Sequence, residues 1–347
     1  MSIPLEPEPS RTSHTKIVVS ILAVGLAGLL LYFSLRGIEW RQVGILLSGA
    51  KPAFVAATCV LSTISLFLRA TRWRILLCAG HAVSVSDAFW ATSVGYFGNN
   101  FLPARAGEIA RTLMISSRSG LSKTFVLTTA LMERMADAVA LVVITALVLL
   151  TLPMQPAWLA KATKPFAILG ICGVLAIVIL PHLERFFGAI LARVPVSPSI
   201  RTKLITLLEH ILNGIRAFHD TRRALGFLML TIVIWSVDAT GTVVGARALG
   251  LEIPWPVAFL LIAGLGLGSA LPSTPGYVGI YQFVAVSVLT PFGFSKTNAI
   301  AYILMFQAIS YVFVGFWGSL GFWKYRHMKL ERPSPVDAQT SPLTTAP

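Results

Sequence analysis

Residues 257–290 read VAFLLIAGLGLGSALPSTPGYVGIYQFVAVSVLT, a run of 34 residues without a charged side chain. A helix that spans a bilayer needs about 20 apolar residues, so this run is too long for one span. The prolines and glycine between 271 and 276 end a helix in its middle. In hydrocarbon, the freed backbone groups are tolerated only where protein or a watery cavity satisfies them. The stretch therefore predicts two short helices that meet beside a polar cavity; an ordinary loop within a helical bundle is the alternative.

The chain around this run also has the composition of a membrane protein. Of its 347 residues, 55% are hydrophobic and 12% are charged, whereas soluble domains carry about 25% charged residues. Apolar runs predict six spanning helices, at 17–35, 52–69, 124–150, 165–181, 224–246 and 298–323. The first is read as a retained helix because no small-residue cleavage site follows it. We expect an all-α polytopic membrane protein with one transmembrane domain at 17–325 and disordered cytoplasmic tails at 1–16 and 326–347.

The distribution of positive charge predicts the orientation. The net charge is +14, and lysines and arginines cluster between the apolar runs. The positive-inside rule places the rich segments in the cytoplasm. Twenty of these residues then lie inside and seven outside, provided that 86–120 and 257–290 each enter and leave on one side as re-entrant hairpins. We therefore expect a protein of the cell (inner) membrane with both termini and the basic loop 182–223 in the cytoplasm.

Part of this basic loop has an amphipathic pattern. Apolar residues recur at helical spacing through 200–218, with two arginines and a lysine among them. A helix of this kind lies on an anionic leaflet or packs against the rest of the protein. The sequence favours neither interpretation.

The chain repeats four short motifs in the same order. The first copies are Gly80 with Ala88-Phe89, Leu102-Pro103 to Gly107, Gly120-Leu-Ser-Lys-Thr124 and Leu131-Met132. The second copies, in the same order, are Gly250 with Ala258-Phe259, Leu271-Pro272 to Gly276, Gly293-Phe-Ser-Lys-Thr297 and Leu304-Met305. The units are about 52–150 and 224–323, and the predicted topology starts the first outside and the second inside. Inverted repeats with helices broken near the midplane recur in secondary transporters. The third motif also predicts helix starts, with Ser122 and Ser295 as caps.

Three charged residues fall within the third predicted span: Glu133, Arg134 and Asp137. Glu133 is about 14 Å into the helix at 1.5 Å per residue, close to the middle of the bilayer. Charged groups at that depth face a cavity or one another. They predict either a site for a headgroup or ion, or a structural cluster in which Arg134 neutralises Asp137 at i+3. The second repeat has Gln307 and Ser310 at the positions of Arg134 and Asp137, so the site is asymmetric.

Other charged residues flank the first break and the spans. Arg105, Glu108 and Arg111 surround the break, where two guanidinium groups would hold a phosphate or anchor the chain at the interface. Asp238 is the one charge in the fifth predicted span, and we expect either a site residue or the partner of a buried arginine. The arginines within 69–74 are expected to anchor the end of the second span.

The sequence lacks the motifs of several chemistries. No Gly-x4-Gly-Lys-Ser/Thr loop is present for ATP hydrolysis, and neither His-Glu-x-x-His nor Gly-x-Ser-x-Gly occurs. The cysteines, Cys59, Cys78 and Cys172, have no metal-ligand spacing and are expected as free thiols. We therefore expect no cofactor, no metal site and no nucleic-acid partner.

Four stretches of the chain form a recognisable set. They are Arg-Ala-Thr-Arg-Trp-Arg-Ile-Leu-Leu (69–77), Asn-Phe-Leu-Pro-Ala-Arg-Ala-Gly-Glu-Ile-Ala-Arg (100–111), Glu-Arg-Met-Ala-Asp (133–137) and Leu-Pro-Ser-Thr-Pro-Gly-Tyr-Val-Gly-Ile-Tyr-Gln (271–282). Over about residues 15–325 the chain resembles the flippase-like membrane domain of lysylphosphatidylglycerol synthases. The resemblance implies a lipid translocator or a lipid-linked partner of envelope synthesis. Two positions depart from the family pattern, since Tyr277 replaces a glycine and Gln282 stands where glutamate is common. No soluble aminoacyl-transferase domain follows residue 330, so lysyl transfer is not expected.

These observations favour a non-enzymatic protein that moves a polar or anionic lipid headgroup between leaflets. Its candidate binding residues surround the two breaks and the intramembrane charges: Asn100, Arg105, Glu108, Arg111, Glu133, Arg134, Asp137, Asp238, Pro272, Pro275, Gly276 and Gln282. Membrane lipids are the expected partners, and envelope biosynthesis enzymes would be further ones. The alternative is a membrane-embedded enzyme or accessory subunit acting on lipid-linked sugars or hopanoid-like lipids, with acids such as Glu108 and Glu133 in catalysis. A third interpretation is a scaffold for envelope enzymes.

Overall fold

The computed structural model describes residues 24–102, 106–152, 157–179, 220–270 and 274–330. The regular elements in these ranges are helices, which confirms the all-α fold that the apolar runs predict. In chain order they are α1 Val24–Leu35, α2 Trp40–Ser48, α3 Pro52–Leu77, α4 Val85–Phe101, α5 Ala106–Ser119, α6 Lys123–Thr151, α7 Ala157–Ile179, α8 Thr221–Ala248, α9 Trp255–Gly268, α10 Ile280–Leu289 and α11 Lys296–Leu330, with 3₁₀ turns at Pro275–Tyr277 and Thr290–Phe292.

Several predictions concern residues outside the described ranges. These are the N-terminal tail and the start of the first span, the amphipathic segment 200–218, the tail beyond Leu330, and the candidate residues Arg105 and Pro272. At the C-terminal end, α11 continues to Leu330, past the predicted domain boundary at 325.

Four described helices are long and apolar enough to cross a membrane: Pro52–Leu77, Lys123–Thr151, Thr221–Ala248 and Lys296–His327. Each contains one of the predicted spans. In addition, α1 is the described part of the first predicted span, and α7 overlaps the fourth. Large apolar side chains such as Val312 and Phe316 are exposed on the outer surface, as a lipid environment requires. The chain is therefore a polytopic membrane protein.

The first predicted break separates two helices that fold back on each other. α4 ends at Phe101 and α5 starts at Ala106, and the two pack side by side as the first hairpin. At the open end of this hairpin, Asp87 forms an ion pair with Arg118, with 2.6 Å between Oδ1 and Nε. At its tip, the ring of Phe101 lies 5.8 Å from the ring of Tyr311. The hairpin therefore enters and leaves on the same side, as the charge distribution predicts.

The second predicted break has the same architecture. α9 ends at Gly268 and α10 starts at Ile280, and they pack together as the second hairpin. At the open end of this hairpin, Leu260 near the start of α9 packs against Val288 and Phe292 near the end of the second arm. The tip again reaches α11, because the Tyr311 hydroxyl donates a 3.3 Å hydrogen bond to the Gly276 carbonyl.

Both hairpin tips thus meet the same residue, Tyr311. It lies about 22 Å along α11 at 1.5 Å per residue, so the tips are near the middle of a membrane-spanning helix. The open ends point in opposite directions. Ser117 of the first hairpin contacts Tyr325 near the C-terminal end of α11, with 2.9 Å between their hydroxyl oxygens. Leu289 of the second packs with Ala299 and Ile300 near the start of α11. The two hairpins therefore reach the tips from opposite directions, as the predicted inverted repeat requires.

Packing between the repeats is reciprocal. The last helix of the second repeat, α11, packs along α4 of the first hairpin, and the last helix of the first repeat, α6, packs along α9 of the second. The two leading helices, α3 and α8, pack on each other. Such exchange of contacts is what a two-fold axis in the membrane plane produces.

The shared Gly-x-Ser-Lys-Thr motifs start α6 and α11 as predicted. Ser122 accepts a hydrogen bond from the backbone N–H of Phe125 at 3.2 Å, and Ser295 accepts one from Asn298 at 3.1 Å. The preceding glycines turn the chain at φ values of 71° (Gly120) and 88° (Gly293), a region that residues with a Cβ rarely adopt. The two helix starts are therefore the same structure built twice.

Candidate functional site

The first layer of the site is a buried arginine that joins α3 to α6. The Arg72 side chain is 0% exposed. Its terminal nitrogens donate to both carboxylate oxygens of Asp137, at 2.7 and 2.9 Å, and to Glu133 at 3.1 Å. A third acceptor, the Thr231 hydroxyl at 3.2 Å, ties this arginine to α8. Arg72 is therefore a packed junction of three helices.

A second arginine joins the first hairpin to this junction. Arg111 of α5 donates to Glu133 at 3.0 Å and, through Nε, to Glu108 at 2.6 Å. Its guanidinium lies 4.4 Å above the ring of Trp73, a cation–π arrangement. Glu133 is thus held between two arginines, Arg72 from α3 and Arg111 from α5.

Two more arginines extend the network to less buried positions. Arg134 donates through Nε to Glu108 at 3.2 Å, and its side chain is 35% exposed. Arg69 donates to Asp238 at 2.5 Å and lies 4.8 Å from the Trp235 ring centroid. Asp238 is therefore the partner of a buried arginine, one of its two expected roles.

The described network contains four guanidinium groups and four carboxylates, so it is formally neutral. Arg134 pairs with Asp137 at i+3, at 4.0 Å, but the close bidentate partner of Asp137 is Arg72. One expectation is corrected here. The arginines at 69 and 72 do not anchor the end of a span at the interface, because α3 continues to Leu77 and both side chains are buried in ion pairs. Their i, i+3 spacing on an apolar helix, opposite unmatched intramembrane acids, was the sequence signal for this role.

A cavity of about 340 Å³ lies against the exposed side of this network, between the two repeats. Its polar wall includes charged and amide side chains and a tyrosine: Arg69, Tyr96, Asn99, Asn100, Glu108, Arg134, Asp137 and Asp238. Its apolar wall includes large side chains from both repeats, among them Leu61, Leu141, Ile262, Phe306, Ile309 and Phe313. The predicted polar cavity beside the breaks is therefore present, and it is amphipathic.

The second break borders the same cavity and is held by uncharged side chains. Gln282 of α10 donates to Gln307 of α11 at 2.5 Å and accepts from the Gly279 N–H at 2.7 Å. Gln307 in turn donates to the Gly276 carbonyl at 3.0 Å. In the first repeat, the second hairpin arm is tied to the last helix by the Glu108–Arg134 ion pair. The second repeat makes the same connection with two amides.

The structure brings most of the predicted residues together. Glu108, Arg111, Glu133, Arg134, Asp137 and Asp238 form the network, while Gly276 and Gln282 hold the second break and Pro275 starts its 3₁₀ turn. Asn100 lines the cavity, and its amide donates to the Tyr96 carbonyl at 3.0 Å. Several further residues line the cavity or belong to the network without having been predicted as site residues: Arg69, Arg72, Tyr96, Asn99, Trp235, Tyr277 and Tyr281. Among the described residues, no group of three or more His, Cys, Asp and Glu side chains is placed to hold a metal ion.

We expect Gly276→Ala to destabilise the second break. Gly276 has a φ of 68°, and a Cβ there would overlap the Tyr311 side chain. The left-handed backbone alone costs an alanine roughly 1–2 kcal/mol, and the overlap adds to that cost. Thermal unfolding of the purified protein in detergent should show a clearly lower midpoint.

Gly250→Ala is the matched control for this substitution. Gly250 has a φ of 71° with no atom within 4 Å of the added Cβ, so it carries the backbone cost without the overlap. Equal midpoints for the two variants would mean that contact with Tyr311 does not constrain the break.

Comparisons with known proteins agree with this architecture. The sequence model of the family named lysylphosphatidylglycerol synthase TM region matches residues 19–318. The chain is 27% identical over 327 residues to glycosyltransferase AglD of Haloferax volcanii, with 83% of this chain and 51% of that protein covered, so it spans about half the length of this relative. It is 24% identical over 325 residues to a UPF0104 membrane protein of Methanothermobacter thermautotrophicus, with 87% and 91% covered. It is also 23% identical over 240 residues to a UPF0104 membrane protein of Methanocaldococcus jannaschii, with 68% and 97% covered.

No solved structure matches the chain at a significant level. The family match nevertheless extends over most of the sequence, from the first apolar run to the last helix, and includes both breaks and the arginine–carboxylate network. The two UPF0104 relatives are themselves named as membrane proteins. The chain belongs to the family of the lysylphosphatidylglycerol synthase transmembrane region, also called UPF0104.

Proposed function

We propose that the protein is a lipid translocator, which moves a polar lipid headgroup between the leaflets through the cavity between its repeats. The observation that carries the proposal is the position of the cavity. It lies beside two hairpin tips that enter from opposite sides and meet at Tyr311. Sites at the interface of inverted repeats, near the midplane, are where transporters bind their substrates.

The two walls of the cavity match the two parts of a lipid. A headgroup in hydrocarbon loses its hydrogen bonds to water, which costs several kcal/mol for each group left unsatisfied. The polar wall offers hydrogen bonds that replace those to water, and Arg134 is the most exposed charged group of the network. The apolar wall continues the environment of the acyl chains. A headgroup could therefore cross without leaving polar contacts.

The fold also supports alternating access from the two sides. Each hairpin reaches the middle of the protein from its own side and is held there by side-chain contacts to α6 or α11. Rocking of one repeat against the other would open these contacts in turn. We infer that the Glu108–Arg134 pair closes one path and the Gln282–Gln307 pair the other.

The enzyme alternative receives less support from the described residues. A catalytic acid or base near a bound lipid would need to be free for proton transfer. Within the described network, each carboxylate is already bound to at least one arginine. The name of the Haloferax relative, a glycosyltransferase, favours lipid-linked sugar chemistry as the setting of this alternative, with the chain as an accessory subunit.

Reconstitution into liposomes tests the translocator proposal. We expect the purified protein to make a fluorescent phospholipid in the inner leaflet accessible to an external membrane-impermeant quencher, at a rate that increases with the number of protein copies per vesicle. Protein-free liposomes and vesicles containing an unrelated polytopic protein are the controls. A rate equal to that of both controls, with correctly folded protein in the vesicles, would refute translocation.

We also propose that both termini lie in the cytoplasm of the cell (inner) membrane, from the excess of lysine and arginine in the segments on that side. A reporter enzyme that is active only outside the cytoplasm should be inactive when fused after residue 347. The same reporter inserted at Lys51, between α2 and α3, should be active. The reverse pattern would invert the proposed topology.

A further inference from the structure

One residue of the cavity wall adopts a backbone conformation that its side chain disfavours. Tyr277 has a φ of 61°, and among the described residues it is the one non-glycine residue with a positive φ. The left-handed region is unfavourable for a residue with a Cβ. Strained residues of this kind cluster at ligand sites. A tyrosine kept here against its backbone preference points to a role for its ring.

The ring of Tyr277 forms a flat surface in the cavity. It stacks on Tyr281 with ring centroids 5.0 Å apart and an angle of 14° between the planes. Both tyrosines line the cavity, and the 3₁₀ turn that carries Tyr277 packs against α4, which carries Asn99 and Asn100. The aromatic surface therefore shares the cavity with the polar wall.

The hydrogen-bonding groups of the cavity are suited to hydroxyl groups. The lining side chains offer both kinds of hydrogen-bonding atom: N–H donors from Asn99, Asn100 and Arg134, and carboxylate acceptors from Glu108 and Asp238. A hydroxyl group donates and accepts, so a polyhydroxylated ligand satisfies both kinds of atom.

The charges of the cavity set a limit on the charge of the ligand. The four guanidinium groups of the described network are balanced by four carboxylates. Arg134 makes its hydrogen bond to Glu108 through Nε, and its Nη1 lies 4.0 Å from Asp137, which leaves Nη2 to meet one phosphate. The remainder of the cavity wall has no excess positive charge for further anionic groups.

We propose that the translocated headgroup is a phosphate followed by an uncharged polyhydroxylated six-membered ring, of the sugar or inositol type, with the ring on the Tyr277–Tyr281 stack and the phosphate at Arg134. This inference rests on the proposed function and names its substrate class. The carbon–hydrogen face of such a ring packs on an aromatic plane, while its hydroxyl edge reaches the amides and carboxylates of α4, α5 and α8.

Phosphatidylinositol and phosphatidylglycerol provide a matched pair of probes, because both carry one phosphate and one negative charge and only the first has a ring. Binding to the purified full-length protein is measured by native mass spectrometry in detergent. We expect phosphatidylinositol to bind about tenfold more tightly, a ratio in the range that aromatic contacts supply. Tyr277→Gly should remove this preference without lowering thermal stability, since glycine relieves the backbone. Tyr277→Phe, which keeps the ring, should retain the preference.

The outcomes separate this inference from the translocator proposal. Equal binding of the two lipids by the wild type, or an unchanged preference in Tyr277→Gly, overturns the ring site while leaving translocation intact. If Arg134→Gln binds neither lipid while Tyr277→Gly binds both as the wild type does, the ring site is likewise overturned and translocation is left intact. Inositol phosphate without acyl chains should bind at least tenfold more weakly than the lipid, because it cannot use the apolar wall (about 25 cal/mol per Å² buried). Equal affinity for the soluble compound would show a site for a free metabolite and overturn the lipid assignment.

Discussion

Arg72→Gln is expected to prevent the protein from accumulating in the membrane. Arg72 is fully buried and holds Asp137 through two hydrogen bonds and Glu133 through one. Glutamine cannot balance either charge. Removing one partner of a buried ion pair costs roughly 3–5 kcal/mol, which is a large part of the stability of a domain. Membrane abundance, measured by immunoblotting, and thermal unfolding of any purified protein should both fall sharply.

A second substitution distinguishes loss of charge balance from loss of side-chain volume. Asp137→Asn on the Arg72→Gln background removes the carboxylate that has lost its main partner, while Glu133 keeps Arg111 at 3.0 Å. We expect this double variant to regain part of the lost abundance. Normal accumulation of Arg72→Gln alone would show that the junction does not stabilise the fold.

Arg134→Gln should have the opposite phenotype, with normal abundance and thermal stability but much slower translocation. Arg134 is 35% exposed and faces the cavity. Its removal leaves Glu108 paired with Arg111 at 2.6 Å, so no buried charge is left alone. Glutamine also copies Gln307, the residue at the matching position of the second repeat. The liposome assay should show a rate at least about tenfold lower, because a hydrogen bond to a charged group is worth roughly 1.5–3 kcal/mol.

Arg41→Gln is the matched control, since Arg41 lies on α2 outside the cavity and is exposed. It should retain both abundance and translocation. An Arg134→Gln protein that fails to accumulate would make the whole network structural. A stable Arg134→Gln protein with full activity would remove Arg134 from the path of the headgroup.

Arg72 and Arg134 differ in burial, and this difference bears on the question that the sequence left open. The intramembrane charges are a structural cluster at one end, where Arg72, Arg111 and Glu133 are buried, and a cavity wall at the other, where Arg134 and Glu108 are partly exposed. The inner part balances the charges and fixes the position of the first hairpin. The outer part is then free to bind a ligand without loss of the fold.

The asymmetry between the repeats has a mechanical consequence. Two ion pairs, Glu108–Arg134 and Arg111–Glu133, join hairpin to helix in the first repeat, whereas two amides do so in the second. Low dielectric strengthens the interaction of two charges more than that of two neutral groups. A charged headgroup can compete for Arg134 but has no equivalent target at Gln307. If the cavity is the proposed transport path, its two halves therefore differ in what can open them.

The sequence by itself determined the architecture of this protein. The lengths of its apolar runs required spanning helices, because a bilayer has a fixed thickness. The prolines and glycines at both breaks ended helices inside those runs, and paired motifs such as those at Gly120 and Gly293 identified the duplication and its helix starts. These signals are local, since each acts on the backbone within a few residues of its own position.

Only the tertiary structure decided the chemistry of the site. Arg72 meets Asp137 across 65 positions of the sequence, and Arg69 meets Asp238 across 169. The cost of burying a charge requires that each one finds a partner, but it does not identify that partner. The choice depends on how α3, α6 and α8 pack, and this packing brings the charges together only once the two repeats have assembled.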